Sequence, residues 1–171
     1  AWGVKKYHAK GGSVIVMDPA SGAILAMANE PSYDPNEPAQ ASADARRNRA
    51  VTDMFEPGSI FKIVTAAALL EEGRVSPEET FFCEQGSWPT VAGHILHDHT
   101  PHGLLSFHDV IKLSSNIGTA KAAQRLKPDE LYAYIRAFGF GRKTDVDVPG
   151  EVSGMIPPTK QWWKVSMYNI P

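Results

Sequence analysis

Two short apolar runs, residues 13–18 (SVIVMD) and 23–28 (AILAMA), flank the turn-forming stretch Pro19-Ala20-Ser21-Gly22. β-prone runs around a four-residue Pro/Gly turn predict a β-hairpin. Residues 29–38 (NEPSYDPNEP) carry three prolines in ten positions and predict an extended loop. Residues 39–53 are polar, include Arg46, Arg47 and Arg49, and predict a surface segment with a short helix. The strongest helix covers residues 60–72. Pro57-Gly58 stops whatever precedes it, and Gly73 is suited to the C′ position. Its apolar residues, from Ile60 and Phe61 to Leu69 and Leu70, cover nearly the whole circumference. A helix apolar all round is buried, so this one is expected to run through the middle of the domain. Lys62 is the only charge in its first three turns, and that needs an explanation. Beyond it, residues 80–83 and 93–97 predict short strands in a Gly/Pro-punctuated stretch. Ser106 is placed to cap a helix over 107–113, a second helix follows Asn116, and Pro128 opens a third that Gly139 ends. No internal repeat or low-complexity tract is present.

Composition narrows the class. A chain of 171 residues and 18.7 kDa fits one ordinary domain, and 43% hydrophobic with 21% charged residues is globular composition. Net charge is −2, with a pI near 6.3 and no Lys/Arg run longer than two. That argues against nucleic acid or an anionic membrane surface as the main partner. The single cysteine, Cys83, excludes an internal disulfide and any multi-cysteine metal site; beside Phe81 and Phe82 it reads as a buried structural thiol. No stretch approaches ~18 consecutive apolar residues. The chain starts at Ala, with no charged-then-apolar leader, which reads as a trimmed chain without a signal peptide.

The first candidate chemistry is Ser59-Ile60-Phe61-Lys62. Ser at a helix start and Lys three residues later share one face, with Cβ atoms about 5–6 Å apart. The positive end of the helix dipole favours an alkoxide on Ser59, and burial lowers the pKa of Lys62. A neutral lysine can then take the proton that keeps serine a weak nucleophile. The pattern alone is not specific, since S-x-x-K is expected by chance ~0.7 times in a chain of this composition. A capping serine and a snorkelling lysine are the bland alternative. Ser114-Ser115-Asn116 is the second constellation. Between two helices, Ser and Asn commonly just cap the next one; the functional alternative is a proton-relaying hydroxyl and an amide that holds a substrate amide.

Together these residues resemble the serine penicillin-recognising enzymes, whose signature is S-x-x-K, then S-x-N, then K-[ST]-G. The likeness extends beyond the two motifs. The run 47–62 (RNRAVTDMFEPGSIFK), residues 29–36 (NEPSYDPN), the segment MDPASGAILAMA and IKLSSNIGTAK resemble class B penicillin-binding proteins of the septal division and sporulation type. They occur in that family's order and span most of residues 13–126. The resemblance implies an α/β penicillin-binding transpeptidase fold, similar to the serine β-lactamases, with a central helix carrying the nucleophile. It implies a peptidoglycan D,D-transpeptidase with catalytic Ser59, Lys62 as base, Ser114 as proton relay and Asn116 binding the substrate amide. No cofactor and no metal are implied. The implied partners are peptidoglycan stem peptides, β-lactam antibiotics and the division or elongation machinery. The implied location is the cytoplasmic membrane, with the catalytic domain on its periplasmic side.

One departure stands out: no K-[ST]-G occurs in these 171 residues. Lys143-Thr144-Asp145 is a decoy, because Asp stands where the motif needs Gly, and the family places its motif well downstream. The resemblance therefore implies that residues 1–171 are the N-terminal portion of a transpeptidase domain, lacking its C-terminal third, the membrane anchor and the pedestal domain. Such a fragment is expected to be inactive alone and to self-associate through the uncovered edge of its first strand.

The remaining features point elsewhere less strongly. Five of six histidines lie in residues 94–108, and His97, Asp98, His99 and His102 offer metal ligands. The stretch lacks the i, i+4 spacing of zinc signatures, and a solvated loop is the better reading. Trp162-Trp163 reads as core, and the three arginines as a solvated face. The alternatives to the biosynthetic enzyme are a serine β-lactamase or β-lactam sensor, and a non-catalytic metal-binding or interaction module.

Overall fold

The computed structural model describes residues 2–90 and 93–162. They form two compact units, one from residues 2–54 and 143–153, the other from 55–90, 93–142 and 154–162.

In the first unit, helix α1 (Trp2–Lys6) leads into the hairpin of β1 (Gly12–Met17) and β2 (Ile24–Glu30), paired antiparallel with a bulge between Val16 and Met17. Asp18 makes the turn. Its carboxylate accepts the N–H groups of Ala20 and Ser21 and the Ser21 hydroxyl, while Gly22 takes the left-handed conformation at φ 75°. The expected hairpin is present, but β2 runs two residues into the segment expected as loop. Both faces of β1 are exposed. Helix α2 (Arg49–Thr52) lies beside the hairpin, tied by Asn29. Its Oδ1 accepts the Ser13 hydroxyl (2.7 Å) and the Ala50 N–H (3.0 Å), and its amide donates to Asn48 (2.8 Å). Arg46 and Arg47 are exposed, as expected of a solvated face, and Arg49 departs from that expectation. Arg49 is largely buried and pairs with Asp44 and Asp53, and Arg47 pairs with Asp53 at 3.2 Å. Carboxylates on the same segment hold Arg49 inward.

The second unit contains the apolar core. Helix α3 (Lys62–Glu71) packs against α5 (Asn116–Ala123) and α6 (Pro128–Ala137), with α4 (Phe107–Lys112) beside α5. Phe107, Val110, Ile117, Leu69 and Cys83 are fully buried between them, and Phe61 meets Phe140 edge-on at 5.5 Å. Short antiparallel ladders cover this core: β3 (Thr80–Phe82) with β6 (Leu104–Ser106), and β4 (Ser87–Pro89) with β5 (Ile95–His97). Periodicity missed β4 and β6, since three residues are too few to show alternation. Helix α7 (Thr159–Trp162) closes the described chain, and Trp162 is buried with its indole N–H on the Pro157 carbonyl. Trp163, and the rest of the segment through residue 171, lie outside the described residues.

Two expectations about α3 are corrected. It begins at Lys62, not Ile60, because residues Gly58–Phe61 form a 3-10 turn ahead of it. It is also buried on one side only. Val64, Thr65, Ala66, Ala68 and Leu69 are inside, whereas Ile60, Ile63 and Leu70 are exposed. Among the described residues, α4, α5 and α6 pack on α3 and leave Ile60, Ile63 and Leu70 exposed, so an apolar circumference does not translate into full burial. Among the described residues no helix is long and apolar enough to cross a membrane.

Candidate active site

The sequence Val110–Ile117 builds the site from two helix ends that share almost no linker. Helix α4 stops in a Schellman arrangement: the Ser115 N–H bonds the Val110 carbonyl (2.9 Å), and the Ser114 N–H bonds that of Ile111 (3.1 Å). This motif puts Ser114 in the left-handed region, at φ 57°, a position that glycine usually fills. Ser115 then caps α5, its hydroxyl accepting the Gly118 N–H at 2.9 Å. Asn116 is the first residue of α5. One residue between Ser and Asn is therefore enough to end one helix and start the next, which gives S-x-N a structural reason. Gly118 lets the two helices close up. A Cβ there would meet Val110 at 2.5 Å and Cys83 at 3.2 Å.

Onto this junction α3 delivers Lys62. Its ammonium donates to the Ser114 carbonyl (2.5 Å), the Ser114 hydroxyl (2.9 Å) and the Asn116 Oδ1 (2.7 Å). An ammonium has three donors, and three oxygens take them. The unexplained charge on an apolar helix is thus a half-buried lysine whose polar end is fully occupied by S-x-N. Burial pushes its pKa below the ordinary lysine value, and the negative charge of Asp98 partly offsets that.

Ser59 sits in the 3-10 turn immediately before α3, exposed. A 3-10 turn has three residues per turn, so residues i and i+3 eclipse and Ser59 lies on the Lys62 face. The structure therefore gathers Lys62, Ser114 and Asn116 into direct contact and places Ser59 one turn away, while the Lys62 bonds all go to the S-x-N residues.

Sequence reasoning missed Asp98, which it offered only as a possible metal ligand. Its Oδ2 accepts the Ser115 hydroxyl at 2.6 Å, and its Oδ1 accepts the N–H groups of Asn116 (2.5 Å) and Ile117 (3.0 Å). The neighbouring His97 carbonyl accepts the Asn116 side-chain amide at 2.7 Å. Among the described residues no group of His, Cys, Asp or Glu is arranged to hold a metal ion. Nothing in the sequence marks Asp98, since a carboxylate 17 positions from the serine it bonds has no local signature. The decoy at residues 143–145 is spent locally, the Thr144 N–H and hydroxyl both bonding Glu151 (2.7 and 2.6 Å).

Lys62 thus stands between a turn-borne serine and an S-x-N junction, the two motifs that the sequence carries in order. The family model described as the penicillin binding protein transpeptidase domain matches residues 12–170. The chain is 40% identical over 166 residues to the probable peptidoglycan D,D-transpeptidase PenA of Neisseria flavescens, covering 96% of this chain and 40% of that protein. It is 36% identical over 159 residues to stage V sporulation protein D of Bacillus subtilis, covering 91% of this chain and 24% of that one. It superimposes on penicillin-binding protein 3 of Mycobacterium tuberculosis in complex with ampicillin with a TM-score of 0.83 at 38% identity, over 95% of this chain and 36% of that one. The chain belongs to the penicillin-binding protein transpeptidase family, and its fold is the mixed α/β fold of that family. It spans less than half the length of these relatives.

Proposed function

We propose that the full-length protein is a peptidoglycan D,D-transpeptidase and that residues 1–171 are the N-terminal portion of its catalytic domain. The observation that carries this reading is the Lys62 ammonium, half-buried and held by Ser114 and Asn116 one turn after Ser59. Of the three oxygens on Lys62, only the Ser114 hydroxyl can reverse its role. When Lys62 is neutral it keeps two N–H bonds, to the Ser114 carbonyl and Asn116, and its lone pair is free for a proton. Ser59 Oγ attacks the carbonyl of the penultimate D-alanine of a stem peptide, and its proton passes to Lys62. The C–N bond to the terminal D-alanine breaks, and the proton moves from Lys62 through the Ser114 hydroxyl to the departing amine. The resulting Ser59 ester is then taken by the amine of a second stem peptide, which cross-links the two and returns Ser59 to its hydroxyl. Asn116 holds the substrate amide beside the ester.

Penicillins mimic this substrate, and the ampicillin complex of the mycobacterial relative supports β-lactams as ligands. Similarity to a sporulation protein and to PenA supports a role in cell-wall synthesis at the septum or in elongation, on the outer side of the cytoplasmic membrane and with division or elongation proteins as partners. The test is covalent labelling of the full-length protein with a fluorescent penicillin. A single label that maps to Ser59 and vanishes in Ser59→Ala is expected. Labelling that persists in that variant would overturn the assignment.

A further inference from the structure

Asp98 lies outside the family motifs, yet it accepts as many hydrogen bonds from the S-x-N junction and the start of α5 as Lys62 donates to that junction. Its two oxygens take one hydroxyl and two backbone N–H groups, from Ser115, Asn116 and Ile117. The two amides are among the first donors of α5, which have no partner within the helix. A carboxylate there also meets the positive end of the helix dipole. Asp98 is itself anchored, its N–H donating to the Gly86 carbonyl at 3.1 Å.

The consequence falls on Asn116. Its backbone is held by Asp98 and its side-chain amide nitrogen by the His97 carbonyl. With the NH2 end committed, only Oδ1 can face Lys62. Ser114, in its left-handed conformation, is fixed by the α4 end on one side and by the Asp98-held Ser115 on the other. Both oxygen sources for Lys62 thus depend on one carboxylate that does not touch Lys62 by a hydrogen bond.

We propose that Asp98 is a positioning residue for acyl transfer: it clamps Ser115, Asn116 and Ile117 so that Ser114 and Asn116 present their oxygens to Lys62. This rests on the acyl-transfer reading of the site. The clamp also has an electrostatic side. Asp98 is the charge that favours the Lys62 ammonium. The first turn of α5 carries no charge, Lys121 further along is paired with Glu84, and His97 and His99 flank Asp98 with exposed side chains.

The experiment measures the acylation rate of the full-length protein by a fluorescent penicillin across pH, for wild type, Asp98→Asn and Asp98→Ala. Asparagine keeps an acceptor for the two amides but no charge. It is expected to retain more of the plateau rate than alanine and to move the acid limb to lower pH, since Lys62 then loses its proton more readily. Alanine removes the clamp and is expected to cost about 10²-fold on the plateau, the scale of a misplacement near 1 Å. Hydrogen exchange at the Asn116 and Ile117 amides, expected to accelerate in Asp98→Ala, reports the clamp without any reaction. An unshifted acid limb in Asp98→Asn would reduce Asp98 to a helix cap and overturn the proposal, as would a wild-type rate in Asp98→Ala. If Asp98→Ala does not fold, the limb of Asp98→Asn decides alone. Wild type that takes no label would sink the acyl-transfer reading, whereas unchanged exchange at the two amides would sink the clamp itself.

Discussion

Ser114 holds a left-handed conformation that strains a residue with a Cβ, and exchanging it separates that strain from the relay proposed for its hydroxyl. In the left-handed region a residue with a Cβ is strained by roughly 1–2 kcal/mol, which glycine escapes. Glycine in turn gains about 0.5–1 kcal/mol of freedom in the unfolded chain. Ser114→Gly and Ser114→Ala both delete the hydroxyl that meets Lys62 at 2.9 Å, so that loss cancels between them. What remains is the strain, and Ser114→Gly is expected to exceed Ser114→Ala in stability by about 0.5–1 kcal/mol. For a domain of this size that is a difference of ~1–4 °C in the midpoint of thermal unfolding. Both variants keep the backbone carbonyl that binds Lys62 but lose the proton relay, and each is expected to lose ~10²-fold or more in penicillin acylation. Paired melting curves and labelling rates of the full-length protein read both quantities. If the alanine variant is as stable as the glycine one, the strained Schellman position is not what shapes this junction. If either variant acylates at the wild-type rate, the relay assigned to Ser114 is wrong.

Further outcomes follow from the same geometry. Lys62→Ala is expected to abolish covalent penicillin binding. In the wild type the acylation rate is expected to rise with pH through a pKa below the ordinary lysine value, because burial disfavours the ammonium and the neutral amine is the proposed base; a rate falling over that limb would contradict it. Gly118→Ala forces a Cβ to 2.5 Å from a Val110 methyl and is expected to cost about 1–3 kcal/mol in denaturant unfolding, a neutral result meaning that α4 and α5 can part without loss. The 171 residues expressed alone carry no K-[ST]-G and are expected to acylate at least ~10²-fold more slowly than the full-length protein, as an oxyanion site short of one donor would. Expressed alone they are also expected to self-associate, because β1 pairs only with β2 among the described residues and exposes Val14, Ile15, Val16 and Met17. Sedimentation as a monomer at high micromolar concentration would refute that.

Much of the architecture was legible in local pattern. The 13–28 hairpin, the helix ending at Gly73, the Ser106 cap and the Pro128 start all rest on residues that act on their immediate neighbours, so a linear reading captures them. The same holds for Ser59, Lys62, Ser114 and Asn116, whose spacing carries the family's pattern. The start of α3 was misplaced by two residues, because 3-10 and α turns share the same apolar sequence and differ only in how tightly the chain winds.

What the chain could not declare locally depends on groups brought together from afar. Lys62 and Ser114 are 52 positions apart, and Asp98 and Ser115 are 17 apart. Whether a lysine on an apolar helix is a stray surface charge or a base held among oxygens is decided by what packs over it. That is a property of the α3–α5 contact and of the close approach Gly118 permits. Likewise Arg49 carries the same sequence signal as any surface arginine, and only the inward turn of its segment onto Asp44 and Asp53 makes it an internal tie. Sequence alone determined which residue types stand at which spacing, because helix periods and caps are local. Tertiary structure decided which of them meet, because burial and charge pairing are set by the elements that fold against each other.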